Sequence, residues 1–123
     1  MKPLNPRSAK ELLERIDNAT NAELRSLTLI DPTTVQLRLS VQDRNRGFDW
    51  IDLVFEVSGV NDARLIDDAK LSYIDSSEGI SICYDGEHAG LAIGSYGSLE
   101  GLRDSALFVI GSGVKFAEAE FSE

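Results

Sequence analysis

Two hydrophobic periods divide the chain. Between Ala9 and Ala19 apolar residues return every third or fourth position: Ala9, Leu12, Leu13, Ile16 and Ala19 share one face, and Glu11, Glu14, Arg15 and Asp17 point away from it. Ser8, followed three residues on by Glu11, makes the Ser-x-x-Glu pattern that caps a helix start. The spacing therefore predicts an amphipathic helix over 8–19, behind a flexible segment over 1–7. A helix of about three turns is marginal in isolation, so its apolar stripe must pack on the rest of the chain.

From Leu24 the period falls to two. Leu27 and Leu29 alternate with Ser26 and Thr28 up to Ile30, and Asp31-Pro32-Thr33-Thr34 reads as a turn because proline presets the backbone angle of the second turn position. Val35, Leu37, Leu39 and Val41 then alternate with Gln36, Arg38, Ser40 and Gln42, a strand with one dry and one wet face. After a polar loop over Gln42–Gly47, Ile51, Leu53, Phe55 and Val57 form the next dry row, and Trp50, Asp52, Val54, Glu56 and Ser58 face the other way. Residues 61–69 fit either a short strand or a helical turn. Leu71, Tyr73 and Asp75 alternate with Ser72 and Ile74, and Ser76–Gly79 reads as a hairpin leading to Ile80 and Ile82. Asp85-Gly86 is a second hairpin signal, since glycine accepts the positive backbone angle of tight turns; Leu91 and Ile93 begin the return.

Gly94, Gly97 and Gly101 punctuate a loop with a helical turn over 98–104. Ala106–Ile110 is apolar on both faces, so it should be a central strand or one covered by a helix. Gly111-Ser112-Gly113 is a tight turn, and the last strand, from Val114 and Phe116, ends among Glu118, Glu120 and Glu123. One helix and seven or eight strands with short connections imply antiparallel pairing, because parallel pairs need a crossover of about a dozen residues or more. The expected architecture is mainly β (α+β): a single domain over 1–123, its helix packed on an antiparallel β-meander over 22–121 that closes as a sandwich or half-barrel.

Charge narrows the function. With 21 acidic and 12 basic residues the net charge is −9, which disfavours nucleic acid and favours a basic protein partner; solubility alone is the plainer explanation. A single cysteine excludes an intrachain disulfide. No apolar run nears the ~18 residues of a membrane span, and the start lacks a secretory pattern. The expected location is the cytoplasm.

Candidate chemistry is sparse. Cys83 and His88, the only residues of their kinds, flank the Asp85-Gly86 hairpin. A Cys–His nucleophile pair needs both groups in hydrogen-bond reach and a third to orient the imidazole, for which Asp85 and Glu87 are near; no hydrolase motif surrounds them, and a cysteine also serves as a small apolar residue. Too few nitrogen and sulfur ligands exist for a structural zinc site, and the acidic cluster Asp62, Asp67 and Asp68 lacks the spacing of a calcium loop. The sequence thus points to no catalytic set, metal or cofactor. Exposed aromatics beside acids suit a protein interface, which makes Trp50, Asp52, Glu56, Tyr84, Asp85 and Glu87 the expected partner-binding residues.

The stretch from Trp50 to Val60, of the form aliphatic-x-Phe-x-x-x-Gly-Val and preceded by the alternating strand Val35–Val41, resembles a pattern in small bacterial β-rich proteins that include polymorphic-toxin immunity proteins. The resemblance implies a non-enzymatic protein that neutralises a toxin by blocking its active site, and it transfers no residue by position. Two alternatives stand beside it: a small enzyme using His88 with nearby carboxylates, and a structural domain self-associating as a homodimer through an edge strand.

Overall fold

A computed structural model of the chain describes residues 1–121, so the expected acidic end at Glu123 lies outside the described residues. The elements are β1 (Lys2–Pro3), α1 (Pro6–Arg15), β2 (Glu23–Asp31), β3 (Thr34–Asp43), β4 (Asp49–Ser58), β5 (Asp62–Arg64), β6 (Ile80–Tyr84), β7 (Ala89–Ile93), α2 (Leu99–Leu102), β8 (Phe108–Gly111) and β9 (Gly113–Ala119). Short single turns lie at Asp17–Ala19, Arg44–Arg46 and Asp68–Tyr73. Among the described residues nine strands form two antiparallel sheets, ordered β1-β9-β4-β3-β2 and β5-β8-β7-β6. The layout is mainly β with a helix against it, as the periodicity implies, and it resolves into two open sheets without a closed barrel.

The inner rows are those the alternation marks. Val35, Leu37, Leu39 and Val41 pair in register with Val57, Phe55, Leu53 and Ile51, and all eight are buried. Ile80, Leu91, Ile93 and Val109 of the second sheet belong to the same core, and α1 contributes Ala9, Leu12 and Ile16. A smaller cluster, Ala92, Leu102, Phe108 and Ile110, forms on the outer face of the second sheet beneath α2. The doubly apolar strand β8 is therefore both central, between β5 and β7, and helix-covered.

Three expectations change. Residues 1–7 are not a loose lead: Lys2 and Pro3 pair with Phe116 and Lys115, Leu4 donates its N–H to the Val114 carbonyl at 2.9 Å, and Leu4 is buried. The helix begins at Pro6 rather than Ser8, because Asn5 is the better cap. Its Oδ1 accepts the Ser8 N–H at 2.8 Å, Ser8 Oγ accepts the Asn5 N–H at 2.9 Å, and Pro6 fits the first helical position, where no N–H is needed. The helix also stops at Arg15. Asp17, Asn18 and Ala19 take left-handed φ values of 54°, 55° and 57°, and Ala19 stays buried; the apolar spacing runs on through a turn of opposite hand.

The third change is Leu71–Asp75, read as a strand. Residues 68–73 form a short helical turn with Leu71 buried and Tyr73 84% exposed, so Ser76–Gly79 closes no hairpin. This stretch runs back along the outer edge of β2. Val60 N–H bonds the Thr33 carbonyl at 2.9 Å, Asp68 Oδ1 accepts the Leu27 N–H at 2.6 Å, and Ser76 Oγ donates to the Ala22 carbonyl at 2.7 Å. A segment that ties one sheet's edge to the other sheet has no partner strand of its own, and a strand period in it has nothing to pair with.

Candidate functional site

The six expected contact residues divide between the two sheets. Trp50, Asp52 and Glu56 lie on the outer face of β4, and Tyr84, Asp85 and Glu87 lie on β6 and the hairpin after it. Asp52 does not face water: it is 0% exposed. Arg38 Nε donates to its Oδ2 at 2.7 Å and Ser40 Oγ to its Oδ1 at 2.5 Å. Its register neighbours explain this, since Ser40 and Ala119 flank it on β3 and β9, and the chain beyond β9 crosses the same face. There Glu120 offers its carbonyl to Arg38 at 3.4 Å, and the Phe121 ring lies 6.0 Å from that of Trp50 with the Arg25 guanidinium 5.3 Å over it. Trp50 remains 38% exposed at the border of this cover, and Glu56 is half-buried between Gln36 and Lys115.

A second buried carboxylate closes the gap between α1 and the first sheet. Asp43, fully buried, receives Arg15 through Nε at 2.9 Å and Nη2 at 2.5 Å, and the Asn45 N–H at 2.9 Å. Arg15 also pairs with Glu118, and Arg46 reaches Asp43 at 3.4 Å. The Arg15 hydrogen bonds hold the Asp43 carboxyl below the usual aspartate range. A planar guanidinium suits this two-pronged clamp, which joins helix, strand and last strand.

The hairpin holds the lone histidine. Asp85 Oδ1 accepts the N–H groups of Glu87 at 2.9 Å and His88 at 2.7 Å, which keeps the Asp85 carboxyl below its ordinary value, and His88 Nδ1 lies 3.4 Å from the same oxygen. Cys83 does not join it. Its Sγ is directed to the Tyr96 carbonyl at 3.6 Å and burial pushes its thiol up, the opposite of what a nucleophilic cysteine needs. Tyr84 packs its ring in the main core, with Oη buried and no hydrogen-bond partner among the described residues. A cleft of about 140 Å³ beside His88 is lined by Asn61, Asp85, Leu99, Arg103 and Ile110. Among the described residues no cluster of three or more His, Cys, Asp or Glu could hold a metal ion, and no helix is long and apolar enough to cross a membrane.

Charge is distributed unevenly along the chain. Residues 61–104, which build β5–β7, α2 and the segment along the β2 edge, carry nine carboxylates and three cations, −6 of the total −9. Two of those cations, both at the surface, have partners within the chain: Arg103 pairs with Asp62 at 2.7 Å, and Arg64 donates to the carbonyls of Arg103 and Ser105. Asp85, Glu87, Glu100 and Asp104 are exposed.

A groove that the sequence does not announce lies between α1 and the free side of β6. Its volume is about 230 Å³ and its lining is Leu13, Asn18, Glu78, Ile80, Ser81, Ile82, Ser95 and Tyr96. These come from four separate stretches of chain, and the only local sign was Asn18, a residue type that tolerates the left-handed backbone found there. Fold and site together define an antiparallel two-sheet α+β protein with exposed acids in the hairpin after β6 and around α2. Compared with protein-family models, curated proteins and solved structures, the chain matches none.

Proposed function

We propose that this protein is a non-enzymatic binding domain that receives a basic protein partner on the exposed acids of the hairpin after β6 and of the turn around α2. The observation that carries the reading is the concentration of −6 within residues 61–104, where Asp85, Glu87, Glu100 and Asp104 stand in water and Arg64 and Arg103 are held by internal partners. A field of one sign speeds the approach of an oppositely charged partner and sets its orientation. The immunity-like form of this function, with a basic toxin domain as partner and the cytoplasm as the place of encounter, agrees with the Trp50–Val60 pattern and the acidic balance. Asp85 and Glu87 remain contact residues in it, joined by Glu100 and Asp104; Asp52 serves the fold, and Trp50 and Glu56 lie on the other sheet.

The test is a nuclear magnetic resonance titration of the labelled protein with deca-lysine at low ionic strength. Shifts should concentrate at Asp85–His88 and Leu99–Asp104 and fade as added salt shortens the screening length from about 30 Å towards 3 Å. Shifts centred on the outer face of β3 and β4, or binding indifferent to salt, count against the reading.

One observation favours a second reading, a small enzyme using His88: the Asp85 carboxylate is pinned by two backbone amides against the imidazole, beside a cleft. An oriented carboxylate–imidazole pair is a general-base arrangement. Screening the protein and its His88→Ala variant against chromogenic ester and phosphodiester substrates separates the two, since only an enzyme turns over substrate and loses that turnover with the imidazole.

A further inference from the structure

The β6 edge lacks the side-chain guard that the β2 edge has at Leu27. Gly94 N–H bonds the Gly79 carbonyl at 2.8 Å and Asp85 N–H bonds the His88 carbonyl at 3.0 Å, so the odd-numbered residues of β6 exchange hydrogen bonds with β7. In an antiparallel pair the backbone groups alternate in direction. The N–H and C=O groups of Ile80, Ile82 and Tyr84 therefore point away from β7, and Ile93, opposite Ile80, sends its own N–H to Leu107 on the far side. Among the described residues none of these outward groups has a hydrogen-bond partner. Ile80 and Ile82 instead line the groove whose opposite wall is Leu13 and Asn18. At the β2 edge, by contrast, the Leu27 N–H is closed by Asp68.

We infer that this groove is a strand-docking site, where a short extended segment of a basic partner pairs with β6. The inference rests on the basic-partner reading and adds to it the place and the mode of binding. An unpaired edge supplies affinity through main-chain hydrogen bonds, and flanking side chains supply selectivity. The flanking chemistry is anionic and polar: Glu78 lines the groove, Glu14 and Asp17 adjoin Leu13 and Asn18 in the chain, and Ser81, Ser95 and Tyr96 line it with them. No cation lines it; Lys10 lies one helical turn further back, and Arg15 is turned to Asp43 and Glu118. A second copy of this chain would bring its own −9 to the same edge, so a basic strand is the occupant that fits. The left-handed turn at Asp17–Ala19 places Asn18 at the groove, with its carbonyl against Gly79 just before β6.

The test uses two acetylated, amidated heptapeptides of alternating lysine and valine, one unmodified and one N-methylated at alternate residues. Both carry the same charge, but the second cannot pair as a strand. With the unmodified peptide the Ile80, Ile82 and Tyr84 amides should shift and exchange more slowly, the N-methylated peptide should bind about tenfold more weakly, as losing about 1.4 kcal/mol of main-chain bonding implies, and Glu78→Lys should weaken the unmodified one by reversing a charge at the groove. Equal binding of the two peptides, with shifts only at Asp85–His88 and Leu99–Asp104, overturns strand docking and leaves the basic-partner reading standing. Binding of neither overturns both. Protection of the same amides in the protein alone, with a dimer in sedimentation, overturns the inference in favour of self-pairing.

Discussion

The carbonyl oxygen of Asn18 occupies the space in which a side chain on Gly79 would begin. Both residues have left-handed backbones, φ 55° at Asn18 and 78° at Gly79, and the contact seats the turn after α1 against the turn before β6. Asn21 N–H and Gly79 N–H both bond the Ser76 carbonyl, at 3.0 and 2.9 Å, which fixes the two turns to one acceptor.

Gly79→Ala should accordingly be among the most damaging single-methyl changes in the chain. It adds a left-handed alanine, about 1–2 kcal/mol, and forces two backbone segments apart. We expect a loss of about 3 kcal/mol in urea unfolding. Gly86→Ala, whose added carbon meets nothing within 4 Å and whose φ is not left-handed, should lie within about 0.5 kcal/mol of the parent. Equal effects from the two would show that the Asn18 contact does not constrain the fold.

The Arg15–Asp43 clamp sets an acid limit. Asp43 has a folded-state pKa below its ordinary value of 3.8, chiefly through the Arg15 hydrogen bonds. A depressed carboxylate contributes stability that is complete above the unfolded value and is lost as pH falls through the folded one. Stability should therefore fall below about pH 4, and Asp43→Asn, which leaves Arg15 without its main partner, should cost about 3 kcal/mol at pH 7. Urea midpoints at pH 7 and pH 3 check both; the variant should show a smaller drop between them than the parent.

Phe121 covers Trp50 at 6.0 Å and carries the Arg25 guanidinium on its ring. Phe121→Ala should expose the indole and shift its emission to the red, at a stability cost of about 1 kcal/mol. Because Trp50 is the only tryptophan, the spectrum reports this contact alone. An unchanged emission maximum would mean that the segment after β9 does not rest on the β4 face in solution.

Asp68 closes the β2 edge through the Leu27 N–H at 2.6 Å. Asp68→Ala should speed hydrogen exchange at Leu27 and cost about 1 kcal/mol. It should also raise self-association at high concentration, since Leu29 and Ile30 beside the opened amide are 61% and 49% exposed. Unaltered exchange at Leu27 would remove the carboxylate from its role as an edge guard.

The dry rows of β3 and β4 were legible because each residue's side depends only on its parity, and a buried sheet face tolerates no slip of register. The hairpin after β6 was legible from Asp85-Gly86, but its chemistry differs from the expected one: Gly86 takes no positive φ, and the loop is closed by Asp85 Oδ1 accepting the Glu87 and His88 N–H groups. Parity told less about Asp52. It placed the carboxylate correctly on the outer face of β4, but whether that face is wet depends on Arg38, Ser40 and the chain after Ala119, distant in sequence. The same limit applies to Leu71–Asp75, where alternation without a partner strand became a turn along the β2 edge.

The sequence by itself determined the class of secondary structure, the antiparallel pairing and the excess of acid, because period, connection length and composition are properties of neighbouring residues or of totals. Only the tertiary structure decided which carboxylates face water, that Asp68 guards the β2 edge while the β6 edge is left unpaired, and that Asp85, Glu87, Glu100 and Asp104 stand exposed in the hairpin after β6 and around α2. Those properties depend on contacts between residues far apart along the chain, such as Leu27 with Asp68 and Asn18 with Gly79, and nothing local to either residue encodes its partner.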